Sequence, residues 1–185
     1  NHYGFYQVIH YEKPHLLDCF VEDTRRQHLV SFESEICKQS LKSYQSASFA
    51  AMFELLEGKV PIICDRAHLG EVVYSPRYRG YNGEYVFDIE SEYLNRSFHE
   101  PYNSFTGTKN KTVLVLLYTS DFSFIVDDGL SFDFTKKEEE QADFLKAFNQ
   151  SKMPNKIAID VNDGGKFASK ESVLNTVLHF VSQIK

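Results

Sequence analysis

An acidic and a basic residue follow each other directly after a short apolar run near the middle of the chain. The run is VPIIC at residues 60–64, and Asp65 and Arg66 come next. So short an apolar run indicates a strand covered on both faces of a sheet, and a carboxylate at its end is costly unless paired or hydrated. Asp65 could orient Mg²⁺ or its water beside a phosphate, and the planar fork of Arg66 could bind that phosphate. On this spacing alone, the two residues could equally well satisfy each other or cap a turn.

His68 lies close to this pair and could contact a substrate, although an isolated loop histidine more often lies at the surface. The seven histidines and three cysteines show no metal-ligand spacing, so we expect no zinc site. Nothing in the sequence marks a nucleophile with a paired base. The chemistry suggested by these residues is therefore phosphate binding rather than covalent catalysis.

Short apolar strands and amphipathic helices alternate along the chain. The predicted strands are residues 5–11, 60–64, 112–118 and 156–160, and the predicted helices are 31–57, 84–98, 134–150 and one that follows an N-cap at Ser169. Residues 77–83 are predicted as a loop that carries glycine and arginine. This order predicts an α/β fold with a doubly wound parallel sheet and helices on both faces. Ligands then bind at the carboxyl ends of the strands.

The composition sets further bounds. The chain has 185 residues, of which 42% are hydrophobic and 25% charged, so we expect a single globular domain over residues 1–185. The net charge of -6 argues against nucleic acid as a partner. We find no apolar run of membrane-spanning length and no signal sequence, and the odd cysteine count is typical of free thiols in a reducing compartment. We therefore expect a cytoplasmic protein without membrane contact.

The middle of the chain resembles thymidylate kinases, which belong to the P-loop nucleoside monophosphate kinases. The matching positions are residues 57–66, Leu69, Tyr74, Arg79 and Gly80. In that family a long helix ends near a glycine, an apolar strand leads into an Asp-Arg pair, a tyrosine follows, and a loop then carries Arg-Gly. The turn YEKP at residues 11–14 and the downstream strands and last helix resemble the family in the same order. The resemblance thus covers nearly the whole chain.

This resemblance implies a role for each matching residue. Asp65 would lie beside the transferred phosphoryl group and Mg²⁺, and Arg66 would hold the phosphate of the acceptor nucleotide. Glu12 and Tyr74 would lie near the acceptor sugar, and Arg79 belongs to the loop that follows. The implied substrates are ATP and a deoxynucleoside monophosphate, dTMP or a relative, which places the activity in deoxynucleotide biosynthesis. Homodimerisation is common in the family and is possible here.

The phosphate-binding loop of the family, G-x-x-x-x-G-K-[ST], does not occur in this sequence. The two nearest candidates, at residues 107–109 and 164–167, lack the spacing and the strand-to-helix setting, so we reject both. We expect instead that a strand, loop and helix of roughly 25 residues precede Asn1, close to the size of a βαβ unit without its second strand. That strand would be central in the sheet.

The segment that resembles the family's lid, around residues 119–144, contains no arginine. Lys136 and Lys137 are its candidates for binding the phosphates of ATP, and the competing interpretation is a solvated helix start. The acceptor helix has Tyr44 where the family tends to have arginine, and Gly70 replaces a common serine. Two alternatives therefore stay open: a kinase acting on a nucleoside or on a modified base in DNA, and a nucleotide-binding or interaction protein without catalysis.

Overall fold

The computed structural model describes residues 7–10, 35–58, 61–99, 112–127 and 133–184. Within these ranges the protein is a mixed α/β structure with five α-helices and two small sheets, each of two parallel strands. The chain divides into two compact units, Asn1–Asn110 and Lys111–Lys185. The predictions for Glu12 and for residues 107–109 lie outside the described residues.

The first unit contains two strands, three helices and one π-helical turn. They are β1 (Gln7–His10), α1 (Glu35–Leu56), β2 (Ile62–Asp65), α2 (Leu69–Tyr74), the π-helical turn Ser75–Arg79 and α3 (Val86–His99). Strand β1 pairs with β2 in parallel, so that His10 lies opposite Asp65. Buried side chains of α1 and α3 form the centre of this unit, where the rings of Phe53 and Tyr93 stack at 4.7 Å between centroids. Helix α1 of this core also contacts β2.

One face of the β1–β2 sheet is open. Val8 and Ile63 are partners in the parallel register, and they are 44% and 52% exposed. The sequence predicted strands buried on both faces, and on this face that prediction is not met. An apolar pair this exposed gains little from the hydrophobic effect, which scales with the area removed from water.

The second unit contains two strands and two helices. They are β3 (Leu114–Tyr118), α4 (Lys137–Gln150) preceded by a 3₁₀ turn at Phe134–Lys136, β4 (Lys156–Asp160) and α5 (Lys170–Gln183). Strand β3 pairs with β4 in parallel, with Tyr118 opposite Asp160. Leu114, Phe148 and Ile159 are among the buried side chains of this unit.

The ends of the helices in the second unit are capped by side chains. The hydroxyl of Ser169 accepts the backbone N–H of Ser172 at 3.1 Å, which confirms the predicted N-cap. At the C-terminal end of α4, Nζ of Lys156 donates to the carbonyl oxygens of Phe148 and Ser151 at 2.8 Å each. A cation at a helix C-terminus satisfies carbonyls that lack partners and complements the helix dipole.

Parallel strands and alternating helices are confirmed, and residues 156–160 form a strand with the predicted bounds. Within the described ranges the strands form two small two-stranded sheets, so the predicted doubly wound sheet is not confirmed. Helix α2 was not predicted, and the predicted loop at 77–83 begins inside the π-helical turn. These short elements offer too few residues for a periodic pattern to be recognised. No helix in the described ranges has the length and apolar character needed to cross a membrane.

Candidate functional site

Asp65 and Arg66 lie at the carboxyl end of β2, and both side chains are exposed. Arg66 has φ 62°, and no other non-glycine residue in the described ranges has a positive φ. The left-handed conformation costs a residue with a Cβ about 1 kcal/mol or more. Strain of this kind is found preferentially at functional sites, where the surrounding structure holds the residue in place. The backbone conformation of Arg66 is therefore a second reason, independent of its side chain, to consider it a candidate site residue.

His68, two residues further on, is inside the unit. It is 2% exposed, its Nε2 lies 2.8 Å from Oε2 of Glu90, and its ring packs against Phe53 at 5.1 Å between centroids. Glu90 on α3 is fully buried. A ring N–H that donates to the carboxylate ties the turn after β2 to α3. The sequence suggested a substrate contact for His68, and its burial favours anchoring of this turn instead.

A second buried carboxylate lies on α2. Glu71 is 2% exposed, and its Oε1 accepts the hydroxyls of Tyr81 at 2.7 Å and Tyr85 at 2.9 Å. Its Oε2 accepts from the guanidinium of Arg79. Three donors from one loop thus converge on this carboxylate, which satisfies a charge that would otherwise be very costly to bury.

The two tyrosines remain protonated in this setting. Burial, and then the charge of the neighbouring Glu71 carboxylate, raise the pKa of both the Tyr81 and the Tyr85 phenols well above the ordinary value. Both hydroxyls therefore keep their protons at neutral pH and are available to donate to Glu71.

The same loop also meets α2 through its backbone. A Cβ added to Gly83 would lie 2.1 Å from the carbonyl oxygen of Glu71 and 2.9 Å from Cα of Val72, which is closer than atoms can pack. Only a glycine allows this approach. Gly80 has φ 72° and ends the π-helical turn in the left-handed conformation that glycine adopts without cost. The loop is thus fixed to α2 by both side chains and backbone.

Most of the predicted residues fall within one stretch of the first unit, residues 65–85. Tyr74 is partly buried, and its ring lies 6.0 Å from that of Tyr78 in the π-helical turn. π-Helical turns inside or beside α-helices occur frequently at functional sites. Arg79 closes this turn and is held by Glu71. Asp65, Arg66, Tyr74 and Arg79 therefore belong to one structural segment.

The two lysines predicted to contact ATP lie in the second unit, at the start of α4. Nζ of Lys136 lies 3.6 Å from Asp133, and Nζ of Lys137 lies 3.3 Å from Glu140. Both are local pairs of residues three apart in the chain. The Lys136–Asp133 pair is largely exposed, as the interpretation of a solvated helix start expects, whereas the Glu140 carboxylate that pairs with Lys137 is buried.

The carboxyl ends of β3 and β4 are joined by polar side chains. Oδ1 of Asp160 accepts the backbone N–H groups of Ser120 at 3.1 Å and Asn162 at 2.9 Å. Hydrogen bonding from the Ser120 side chain, followed by that from the Asn162 backbone, lowers the pKa of Asp160. The side-chain amide of Gln141 both donates to and accepts from the backbone of Thr119 at 2.8 Å. Strand ends in this unit are held mainly through backbone groups.

The glycine pair after β4 forms a tight hairpin turn. Gly164 and Gly165 have φ 62° and 81°, and Asn162 pairs with Phe167 in an antiparallel bridge. Two successive residues with positive φ are typical of a type I′ turn. The side chain of Phe167 is 62% exposed and meets the ring of Phe124 edge-on at 5.0 Å. This turn leaves the exposed ring of Phe167 against the partly buried ring of Phe124.

Sequence reasoning missed Glu71, Glu90, Tyr81 and Tyr85. A signal was available for Glu71, because it follows Leu69 and precedes two valines in the run HLGEVVY, where a buried position is expected. The tyrosines, four residues apart, carry no such mark. Their role depends on a loop path that a sequence pattern does not reveal.

The chain was compared with family models, curated proteins and solved structures, and none of them matches it. The resemblance to thymidylate kinases thus stands on the residues and their order alone. Within the described ranges no group of three or more histidine, cysteine, aspartate or glutamate side chains is placed to hold a metal ion.

Proposed function

We propose that this chain is the body of a P-loop nucleoside monophosphate kinase, which transfers the γ-phosphoryl group of ATP to a deoxynucleoside monophosphate such as dTMP. The observation that carries the proposal is the exposed Asp65-Arg66 pair at the carboxyl end of a parallel strand, with Arg66 in a strained conformation. Ligands of open α/β sheets bind at this end of the strands. A guanidinium at this position is suited to a phosphate.

The residues present fit a magnesium ion that is held mainly by its substrate. Asp65 offers one exposed carboxylate, and Mg²⁺ in kinases commonly takes one or two carboxylates, with phosphate and water oxygens as its other ligands. Bound there, the ion would supply positive charge between the phosphates. The absence of a three-residue cluster in the described ranges is compatible with that mode of binding.

In this proposal, catalysis consists of positioning and charge neutralisation, which is the general requirement of phosphoryl transfer. Arg66 binds the acceptor phosphate, Tyr74 contacts the acceptor nucleoside, and Lys136 and Lys137 bind the phosphates of ATP. The ion pair of Lys136 with Asp133 does not prevent this, because exposed ion pairs are worth less than about 1 kcal/mol. Lys137 pairs with the buried carboxylate of Glu140, so ATP would have to compete with that pair.

The proposal is tested with the full-length protein, ATP, Mg²⁺ and a panel of deoxynucleoside monophosphates. A diphosphate product from one of them is expected, and the absence of product from all of them would overturn the proposal. Adding nucleosides and DNA oligonucleotides to the panel separates the alternative acceptors. Arg66→Gln should lower kcat/KM for the acceptor roughly 100-fold, because a charge-assisted bidentate contact is lost.

Arg96→Gln is the matched control for this variant. Arg96 is an exposed arginine of the same unit that pairs with Glu57 at 3.5 Å, at a distance in sequence from the proposed site. Its replacement should leave kcat/KM unchanged. Equal losses in both variants would show that the effect comes from net charge rather than from the position of Arg66.

The second candidate is a nucleotide-binding protein without catalysis. It is favoured by one observation, the lid-like segment in which no arginine occurs and both lysines pair locally. Calorimetric titration with ATP and with dTMP distinguishes the two candidates. Binding of both nucleotides without phosphoryl transfer would support this second candidate.

A further inference from the structure

The loop that follows the π-helical turn depends on one buried side chain. We infer that Glu71 is the positioning residue of the acceptor side, and that it holds Arg79 and residues 80–85 in the conformation that admits the acceptor phosphate. The inference rests on the proposed function. It adds a residue that neither the sequence motifs nor the resemblance singled out.

The contacts of Glu71 all lead to this loop. Its two carboxylate oxygens receive the hydroxyls of Tyr81 and Tyr85 and the guanidinium of Arg79. Its own carbonyl oxygen is the atom that a Cβ on Gly83 would strike at 2.1 Å. Arg79, Tyr81, Gly83 and Tyr85 thus approach the same residue of α2, and Glu71 fixes the path of the chain between them.

The choice of a charged residue is informative. Apolar residues of similar volume often stabilise a buried position as well as, or better than, a buried ion pair. A carboxylate at Glu71, however, orients a guanidinium, which an apolar side chain cannot do. Arg79 is partly exposed, at 18% for its side chain, so the oriented group borders solvent. This is the arrangement of a residue that positions another rather than one that only fills the core.

Helix α1 approaches the same loop from another side. Nζ of Lys42 lies 5.1 Å from the centre of the Tyr85 ring, and the Lys38 side chain lies 3.0 Å from the point where a Cβ on Gly80 would be. Nζ of Lys38 also pairs with Glu35 at 2.8 Å, so Lys42 is the cation that α1 adds beside the loop that holds Arg79. This favours an acceptor that carries a phosphate over an uncharged nucleoside.

The test is the Glu71→Gln variant of the full-length protein. Glutamine keeps an oxygen that accepts from the tyrosines but loses the charge that orients Arg79. The KM for the acceptor should rise about tenfold, as expected for the loss of one hydrogen bond to a charged group, whereas the KM for ATP should stay unchanged. Glu92→Gln, which removes an exposed carboxylate on α3, is the control and should change neither constant.

A double variant identifies the route of the effect. If Glu71 acts through Arg79, then Glu71→Gln combined with Arg79→Met should raise the acceptor KM no further than Arg79→Met alone. Arg96→Met removes an arginine of the same unit that lies outside this network, so it should leave the acceptor KM unchanged. Were Glu71→Gln not to fold, the pair of Arg79→Met and Arg96→Met would still decide, because equal acceptor KM values in both would overturn the inference.

The outcomes separate the two proposals. An active wild-type protein whose acceptor KM is insensitive to Glu71→Gln overturns the inference and leaves the kinase standing. A rise in both KM values by the same factor also overturns it, since that result indicates a general loss of structure. A wild-type protein that phosphorylates no acceptor overturns the proposed function, and the inference falls with it.

Discussion

The two units hold the chain after their parallel strands in different ways. After β2, in Asn1–Asn110, the chain is fixed by carboxylates inside the unit, Glu71 and Glu90, which bind side chains. After β3 and β4, in Lys111–Lys185, the side chains of Asp160 and Gln141 bind backbone groups near the surface. A buried pair of side chains requires particular residues at both positions. A hydrogen bond to a backbone group requires a particular residue only on the side-chain partner, and it constrains mainly the path of the chain. Substitutions should therefore cost more in the first unit.

The largest loss of stability is expected from a substitution that disrupts the packing of the loop against α2. Gly83→Ala places a Cβ 2.1 Å from the Glu71 carbonyl oxygen, so the loop must move away from α2. We expect a loss of about 3 kcal/mol in the free energy of unfolding, at the upper end for overpacking, measured by urea denaturation. Gly70→Ala is the control, because its Cβ would meet only the Tyr74 ring at 3.7 Å. A stable Gly83→Ala protein would contradict the close approach.

The next effect concerns the buried pair of His68 and Glu90. Glu90→Leu leaves Nε2 of His68 buried without its acceptor at 2.8 Å, and a loss of about 2 kcal/mol is expected for an unsatisfied buried group. Thermal unfolding measures it. Glu92→Leu changes an exposed glutamate of the same helix and should be close to neutral. If both variants lose the same stability, helix α3 rather than the pair is responsible.

A smaller effect is expected at the end of α4 in the second unit. Lys156→Met keeps the apolar stem and removes the ammonium that donates to the carbonyls of Phe148 and Ser151. The free energy of unfolding should fall by about 1 kcal/mol, the usual value for a cation at a helix C-terminus. The control is Lys146→Met, which changes an exposed lysine on α4 itself and should have no effect. Hydrogen exchange should localise the loss in Lys156→Met to the last turn of α4.

The smallest effect depends on pH. The pKa of Asp160 is lowered in the folded protein from its ordinary value of 3.8, so the carboxylate adds stability above that pH and loses it as the pH falls through the folded value. Asp160→Asn should therefore be less stable than the wild type at neutral pH, and the difference should disappear under strongly acidic conditions. Asp163→Asn is the control. A difference that persists at low pH would show that the effect is not electrostatic.

Much of the fold followed from local patterns in the sequence. The run KIAID is bounded by turns and predicts β4 with its observed limits, and Ser169 before a striped apolar segment predicts the start of α5. The Asp65-Arg66 pair was found because a charge after an apolar strand is conspicuous. Each of these signals lies within a few neighbouring residues.

The remaining features depend on contacts between residues that are separate in sequence. Glu71 is satisfied by Tyr81 and Tyr85, ten and fourteen positions away, and a carboxylate on a six-residue helix gives no periodic signal. The buried His68 donates a hydrogen bond to Glu90, 22 positions further on. Such information is available only from the folded arrangement.

The pairing of β1 with β2 has a consequence for the order of folding. Gln7 lies opposite Ile62, so the first strand finds its partner only after the intervening chain, including all of α1, has been synthesised. Helices form from local contacts, whereas parallel strands distant in sequence must first close a long loop and pair slowly. The carboxyl end of β2, with Asp65 and Arg66, is therefore completed late, after α1 is already available to pack against it. During translation this end of the sheet is the part that a chaperone would need to protect the longest.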